Sequence, residues 1–293
     1  MKPIALSLTA LLLLAACSDK AATSAPAASA AAPAAVAASA ISDPTLRQLA
    51  EQTEQVRQQL QSRPDGKTVE KLYQQHKQDV DKAVETLSKQ HAEILDNFIE
   101  EWEQKGDESV PSAKLAAKQK ELAAAGLEFW DIGEGMAVIR PVHDYYVKLF
   151  GQAADKDLKD FLQLQANDDQ ENLTNDAALA ISWQDLGQRI RAWEEWQQRY
   201  PDSVHAKAVQ DLLDIYRHGY LIGYDNTPIK EFGDDAQINE DTQKEWQRFR
   251  QAHPDSPTVK LMDEAERYHL QKLSEDNLSP ELKKIVTLYR SAE

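Results

Sequence analysis

The sequence predicts a mostly all-α protein that contains one small β-hairpin. From about residue 43 onward, apolar residues recur every three or four positions, which is the spacing of one face of an α-helix. Capping residues precede these runs, and proline or glycine follows them. Strand-forming residues bracket a glycine turn only around Gly133 and Gly135. We therefore expect packed helices and one hairpin.

Residues 43–106 are predicted to form a helical hairpin. Asp43 is placed as the N-cap and Pro44 as the first helical residue, and Arg63-Pro64-Asp65-Gly66 ends the first helix. The second run predicts one long helix, in which the two histidines lie too far apart to share a metal ion. We expect this apolar stripe to pack within the chain, with a coiled-coil seam for a partner or a second copy as the alternative. The stripe comprises Val69, Leu72, Tyr73, His76, Val80, Val84, Leu87, His91, Ile94, Leu95, Phe98 and Trp102.

Residues 107–180 are predicted to hold short helices and the hairpin. The strands flank Gly133-Glu134-Gly135, a turn that glycine favours. Two strands are marginally stable alone, so we expect the hairpin to lie on helices, with Phe129 or Trp130 as the wedge. The predicted strands are Leu127–Ile132 and Met136–Arg140.

Five polar residues near this turn form a candidate acid–base cleft: Asp131, Glu134, Arg140, His143 and Asp144. Carboxylates beside a histidine could transfer protons or hold a cation. Glu134 is the weak candidate for a catalytic residue, and the alternative is an ordinary solvated turn. The Gly-Glu-Gly turn lacks the Gly-Lys-Ser/Thr of a phosphate-binding loop and carries an acid at its centre.

An internal repeat lies within residues 181–293. Trp193 to Ser203 recurs 53 positions later as Trp246 to Ser256, and Pro-Asp-Ser ends the helix in both copies. The second helix of each copy is predicted from Val204 to about Gly223 and from Pro257 to about Leu273. Each copy is therefore a helix-turn-helix unit.

The Tyr/His-Pro-Asp-Ser joint, followed by Ala206, Ala208 and Tyr216, resembles the joint of periplasmic tetratricopeptide-like proteins, which include the helical lipoprotein of the outer-membrane barrel-assembly machine. This resemblance covers about residues 181–273 and implies tetratricopeptide-like (TPR-like) helical repeats that bind or scaffold proteins. Residues 127–273 also resemble an uncharacterised group of bacterial exported helical proteins. The offset of 53 residues exceeds the 34 of a regular tetratricopeptide array.

Aromatic residues mark the repeat units. The tryptophans at 183, 193, 196 and 246 fall on helical stripes, so we expect them in the core rather than on a ligand-binding surface. Tyr200 and His253 directly precede proline and are predicted to be turn residues without a catalytic role.

The N-terminus resembles that of bacterial lipoproteins. Leu14-Ala15-Ala16-Cys17 closes an apolar run from Ile4 to Ala16 and has the form of a lipobox. The resemblance implies that residues 1–16 are a signal peptide and that Cys17 is acylated, with palmitate among the chains. Ser18 favours sorting to the outer membrane. Residues 17–42, rich in alanine, proline and serine, are predicted to be a tether.

Charge and cysteine content narrow the function further. The formal net charge is −16, and loss of Lys2 with the signal lowers it to −17, which argues against nucleic-acid binding. A cationic protein partner or simple solubility would explain the excess of acid. Because Cys17 is the sole cysteine, lipidation leaves no thiol for a disulfide, a zinc site or a nucleophile. No cofactor is predicted.

The combined expectation is a membrane-anchored envelope lipoprotein, attached to the outer membrane, whose helical body binds another protein in the periplasm or at the surface. Two alternatives stay open. One is an enzyme that acts on the cell wall, for which no motif such as His-Glu-x-x-His or Gly-x-Ser-x-Gly occurs. The other is an acidic inhibitor of a cationic protein.

Overall fold

The computed structural model describes residues 41–230, 237–271 and 273–289. The predicted signal peptide, Cys17 and most of the predicted tether lie outside these residues. The helices are α1 (Pro44–Gln61), α2 (Gly66–Gln90), α3 (Ala92–Asp96), α4 (Ala113–Ala124), α5 (Tyr145–Phe150), α6 (Lys156–Asp168), α7 (Trp183–Arg199), α8 (Ala206–Leu221), α9 (Glu240–Ala252), α10 (Pro257–Gln271) and α11 (Pro280–Val286). The strands are β1 (Trp102–Lys105), β2 (Glu108–Pro111), β3 (Leu127–Gly133), β4 (Met136–Pro141), β5 (Thr174–Asn175), β6 (Ala178–Leu179), β7 (Gly223–Tyr224) and β8 (Thr227–Pro228). The predicted fold class, mostly helical with small antiparallel sheets, is confirmed.

Helices α1 and α2 each begin after a capping aspartate, of which Asp43 was predicted as a cap and Asp65 only as part of the turn that ends the first helix. The Asp43 side chain accepts hydrogen bonds from the backbone N–H groups of Thr45 and Leu46, and the Asp65 side chain accepts one from Thr68. These carboxylates satisfy amide groups that have no partner inside the helix. The predicted start of α1 is therefore confirmed.

The second helix is shorter than the apolar stripe predicts. It ends at Gln90, where His91 leaves helical geometry, and the 3-10 turn Phe98–Glu101 follows α3. Phe98 is buried in this turn, whereas Trp102 begins β1. The apolar residues after Gln90 instead pack on β4 from the short helix α3 and from the 3-10 turn.

The predicted hairpin is present as β3 and β4. The strands pair antiparallel, with Leu127 opposite Pro141 and an irregularity between Asp131 and Gly133. Phe129 packs against the helical core, with its ring centroid 5.8 Å from that of Phe98. Of the two residues predicted as the wedge, Phe129 therefore takes that role.

The described residues also form three further two-stranded sheets, which were not predicted: β1 with β2, β5 with β6, and β7 with β8. The strands of the last two pairs have only two residues each, so no alternating pattern marks them in the sequence.

The two repeat units, α7–α8 and α9–α10, stack so that their first helices contact each other and their second helices contact each other. Helix α7 contacts α9, and α8 contacts α10, while α11 packs against α8. The serine of each Pro-Asp-Ser joint donates a hydrogen bond to a carboxylate of an earlier helix. Ser203 Oγ lies 2.8 Å from Asp157 Oδ2, and Ser256 Oγ lies 2.6 Å from Glu194 Oε2. A serine–carboxylate hydrogen bond thus links each Pro-Asp-Ser joint to a preceding helix.

Buried side chains form two apolar cores. The larger core holds Trp193 and Trp246 together with Val56 and Tyr73 of the N-terminal helices. The smaller core surrounds the β3–β4 hairpin and also takes in Leu87 of α2. Helices α1 and α2 therefore contribute to both cores.

No helix among residues 41–230, 237–271 and 273–289 is both long enough and apolar enough to cross a membrane.

Candidate functional site

Three hairpin tips surround one open cavity of about 710 Å³, which we call the hairpin cavity. The tip of β1–β2 contributes Gln104 and Ser109, and the tip of β5–β6 contributes Asn175 and Asp176. The 3-10 turn before β1 and the tip of β3–β4 complete the lining with Phe98, Ile99, Trp102, Asp131, Glu134 and Gly135. The cavity therefore gathers residues that are as much as 78 positions apart in the chain.

The β3–β4 tip contacts both the 3-10 turn and the β5–β6 tip. The backbone N–H of Ile99 donates to the carbonyl oxygen of Gly135 at 3.0 Å, which joins the 3-10 turn to the β3–β4 tip. A Cβ atom on Gly133 would lie 2.0 Å from Asn175 Oδ1, so glycine is needed there for the β5–β6 tip to approach. The walls are thus mutually supported.

Glu134 lies at the very end of the β3–β4 tip. Its φ of 54° is in the left-handed region, and its side chain is exposed. Beside it, Asp131 Oδ1 accepts a hydrogen bond from the Gly133 N–H at 2.7 Å, which shapes the turn. The weak catalytic candidate therefore lines a cavity, but it is an exposed rim residue.

The floor of the hairpin cavity is apolar and its rim is acidic. Phe98 is buried, Trp102 is half-buried, and Ile99 is 68% exposed. Asp131 and Glu134 on the rim are joined by Asp176, and none of these three carboxylates forms an ion pair within the described part of the chain. The lining contains no lysine, arginine or histidine.

The structure does not bring the five predicted cleft residues together. Asp131 and Glu134 lie at the tip, whereas His143 and Arg140 line a different cavity of about 280 Å³ at the other end of the hairpin. Asp144 Oδ2 lies 2.8 Å from Lys148 Nζ on α5. The two groups lie apart because Asp131 and Glu134 are near the turn, whereas Arg140 and His143 are at the far end of β4 or beyond it.

Arg140 contacts three groups. Its guanidinium carbon lies 3.4 Å from the ring centroid of Trp130, and its Nε donates to Glu128 Oε1 at 2.9 Å. Its Nη2 also donates to the carbonyl oxygen of Asp169 at 2.8 Å. Trp130 itself donates to Asn172 Oδ1. This cluster ties the hairpin to the end of α6.

A second cavity, the helix groove, lies between the first helices of the two repeat units. It measures about 430 Å³ and is lined on one side by Leu179, Ile181 and Trp183. On the other side, Lys244 Nζ lies 2.6 Å from Glu240 Oε1, and Arg248 donates to both carboxylate oxygens of Glu245. The groove is therefore apolar on one wall and carries paired charges on the other.

The tryptophans divide between core and groove. Trp193, Trp196 and Trp246 are no more than 1% exposed, which confirms their prediction as core residues. Trp183 is half-buried and lines the helix groove.

A half-buried aspartate, Asp168, anchors the first repeat unit and was missed by the sequence analysis. Trp193 Nε1 and Tyr216 Oη donate to Asp168 Oδ2 at 2.6 and 2.7 Å. Burial raises the pKa of Asp168 above its ordinary value, and the two donors oppose that rise. The single sign of this role in the sequence is its place at the end of α6, directly before a polar connector.

His76 belongs to a buried structural network. Its Nε2 lies 2.8 Å from Tyr145 Oη, and Tyr145 Oη lies 2.8 Å from Thr53 Oγ1. Because Thr53 donates to the Leu49 carbonyl oxygen, Tyr145 donates to Thr53, and His76 Nε2–H donates to Tyr145. His76 Nδ1 is buried without a hydrogen-bond partner, and burial lowers the pKa of His76 to about 4.

His91 is half-buried, and burial lowers its pKa as well, with nearby lysines adding to the effect. Among the described residues, no group of three or more His, Cys, Asp or Glu side chains could hold a metal ion.

Comparison with known proteins finds no matching family model, no similar curated protein and no similar solved structure.

Proposed function

We propose that this protein is a lipid-anchored lipoprotein of the bacterial cell envelope, most simply at the outer membrane, whose helical body binds another envelope protein. The lipobox at Cys17 supports the anchor, and the Ala/Pro/Ser tether would let the body stand off the membrane. The partner binds through the body rather than through the tether.

The observation that carries the binding function is the helix groove between α7 and α9. Stacked helix pairs bury one continuous core and leave a face on which the first helices are exposed together. Here that face has an apolar wall with Trp183 and a charged wall with Lys244 and Arg248. Such a surface fits a protein segment that offers apolar and polar side chains together.

Enzymatic action on the wall receives no support from Glu134. A general acid that cleaves a glycosidic bond needs a carboxyl group shielded from water. Glu134 is exposed at the end of a turn. Binding therefore accounts better for the arrangement than catalysis does.

Site-specific photo-crosslinking in cells tests the proposal. A photo-reactive amino acid replaces Gln184, which is exposed in the helix groove, and the control position is Val204, which is 66% exposed at the first Pro-Asp-Ser joint. We expect one protein adduct from position 184, identified by mass spectrometry as an envelope protein, and none from 204. Equal labelling at both positions, or none at 184, would overturn the groove as the binding surface.

Cys17→Ala in the same cells tests the anchor. We expect the crosslink to weaken several-fold, because an untethered body is diluted through the compartment. An unchanged yield would show that binding does not depend on membrane attachment.

A further inference from the structure

We propose that the hairpin cavity binds an extended cationic segment of a partner protein, in which a lysine or arginine lies beside an apolar side chain. The inference rests on the proposed function only in that the ligand is a protein. It concerns a different surface from the helix groove and adds the chemistry of the ligand.

The first argument is apolar exposure at a preformed concavity. Ile99 is 68% exposed, more than any other large apolar side chain among the described residues. A single exposed apolar residue on a convex surface is ordinary. Ile99 instead borders a cavity whose floor is formed by Phe98 and Trp102. An incoming apolar side chain would cover the exposed surface of Ile99 and of the half-buried Trp102.

The second argument is charge. Asp131, Glu134 and Asp176 stand around that floor, and the lining offers no positive side chain to balance them. On α2, by contrast, two exposed carboxylates are paired: Glu85 with Lys89 at 2.6 Å and Asp81 with Lys77 at 2.7 Å. Negative charges around an apolar floor are complementary to a ligand segment in which a positively charged side chain lies next to an apolar one.

The third argument is size and rigidity. A volume of about 710 Å³ accommodates a few side chains, and an open mouth suits a continuing chain better than a sealed small molecule. The Ile99–Gly135 hydrogen bond and the close approach of Asn175 to Gly133 hold the walls before binding. A preformed site loses less entropy when the ligand docks.

Peptide binding to the full chain tests the inference. The chain is purified in a non-ionic detergent, with protein-free micelles as the blank, and binding is measured by fluorescence anisotropy. The probe is a short fluorescent peptide that alternates lysine with leucine. A lysine–serine peptide has the same charge without apolar groups, and a glutamate–leucine peptide reverses the charge. We expect the lysine–leucine peptide to bind most tightly and to weaken as salt is raised.

Matched variants locate the binding. Ile99→Ser should weaken binding about tenfold, because the ligand loses one buried apolar contact. Val204→Ser is its control, since Val204 is 66% exposed but lies outside the cavity. Glu134→Gln should weaken binding several-fold, whereas Glu51→Gln, at an exposed carboxylate of α1, should leave it unchanged.

The three rim carboxylates are also removed together as Asp131→Asn, Glu134→Gln and Asp176→Asn. Asparagine can keep the turn hydrogen bond of Asp131 and tolerates the left-handed φ of 50° at Asp176. We expect this variant to lose at least about tenfold in affinity and its salt dependence. Circular dichroism and the unfolding midpoint verify that each variant is folded.

Several results would overturn the inference: no binding of the lysine–leucine peptide, equal binding of the lysine–serine peptide, or equal weakening by Ile99→Ser and Val204→Ser. If spermidine displaced the peptide completely and both lysine peptides bound with equal affinity, the site would bind cations non-specifically rather than a cationic segment with apolar side chains. A photo-reactive version of the peptide should crosslink to the cavity residues. Crosslinking of the peptide to position 184 alone would reject the hairpin cavity as its binding site and leave the proposed function standing. Peptide binding in the cavity, without any adduct at position 184 in cells, would support the cavity and reject the helix groove as the partner-binding surface.

Discussion

Arg217 Nη2 donates a hydrogen bond to Glu194 Oε1 at 2.9 Å, and both side chains are almost fully buried. Glu194 also accepts from the Oγ atoms of Ser256 and Thr258, which begin the second helix of the next unit. One carboxylate therefore neutralises a buried guanidinium and caps α10. The coupling of the two repeat units depends on it.

Removing this carboxylate should strongly destabilise the fold. We expect Glu194→Ala to lower the free energy of unfolding by about 3 to 5 kcal/mol, because Arg217 is left buried without its closest counter-charge. Glu195→Ala is the control, since Glu195 is exposed and pairs only with Arg191 at the surface. That change should cost less than about 1 kcal/mol. Equal urea midpoints for the two variants would contradict the assigned role.

The paired tryptophans should behave as equivalent core anchors. Trp193→Ala and Trp246→Ala each leave a large cavity and should lower the free energy of unfolding by about 3 to 5 kcal/mol. Trp183→Ala, at a half-buried groove residue, should cost clearly less. Thermal and urea unfolding measure all three. Wild-type stability in either core variant, with loss of a partner, would place that tryptophan on a binding surface.

Stability should fall below neutral pH because of His76. Its pKa is lowered from 6.5 to about 4 in the folded protein, so the unfolded chain takes up the proton first. The contribution is complete above pH 6.5, falls as the pH drops toward about 4, and then stays constant. A shift of this size corresponds to about 3 kcal/mol.

Matched histidine variants isolate that effect. His76→Gln keeps a donor for Tyr145 and should flatten the dependence of unfolding free energy on pH between 7 and 4. His143→Gln removes an exposed histidine and should leave the slope as it is. The same slope in wild type and His76→Gln would disprove the assignment.

Two turn glycines, Gly106 between β1 and β2 and Gly133 at the end of β3, distinguish the cost of backbone strain from the cost of a steric clash. Gly106 has a φ of 69° and open space where a Cβ would be, so Gly106→Ala should cost about 1 kcal/mol. Gly133→Ala adds a clash with Asn175 to the same strain and should cost more. Asn175→Ala in the Gly133→Ala background should recover the difference. No recovery would show that the two tips do not press together.

Membrane attachment should depend on Cys17. Cys17→Ala should abolish labelling by a clickable palmitate analogue and release soluble or uncleaved protein, because the sequence offers no other thiol. Ser18→Ala, at the next position, should keep the label. Labelling that persists in Cys17→Ala would rule out acylation at this residue.

The sequence by itself determined the features that depend on near neighbours. Asp43 was identified as a cap and Arg63-Pro64-Asp65-Gly66 as a helix boundary, since these signals act within a few positions. The β3–β4 hairpin and the two Pro-Asp-Ser joints were likewise readable from local turn chemistry and repetition. These interactions are short-range, so composition and spacing suffice to predict them.

Only the tertiary structure decided which distant residues share a surface. The hairpin cavity joins Ile99 to Asp176, and the two-residue strands that position Asp176 carry no pattern of their own. No proline or glycine marks the end of α2 at Gln90, and the residues that follow it pack against β4. Glu194 reads in the sequence as one acid among many, and it becomes a buried link because folding places Arg217 and Ser256 against it. Burial and charge balance depend on the whole packed chain, which local spacing does not encode.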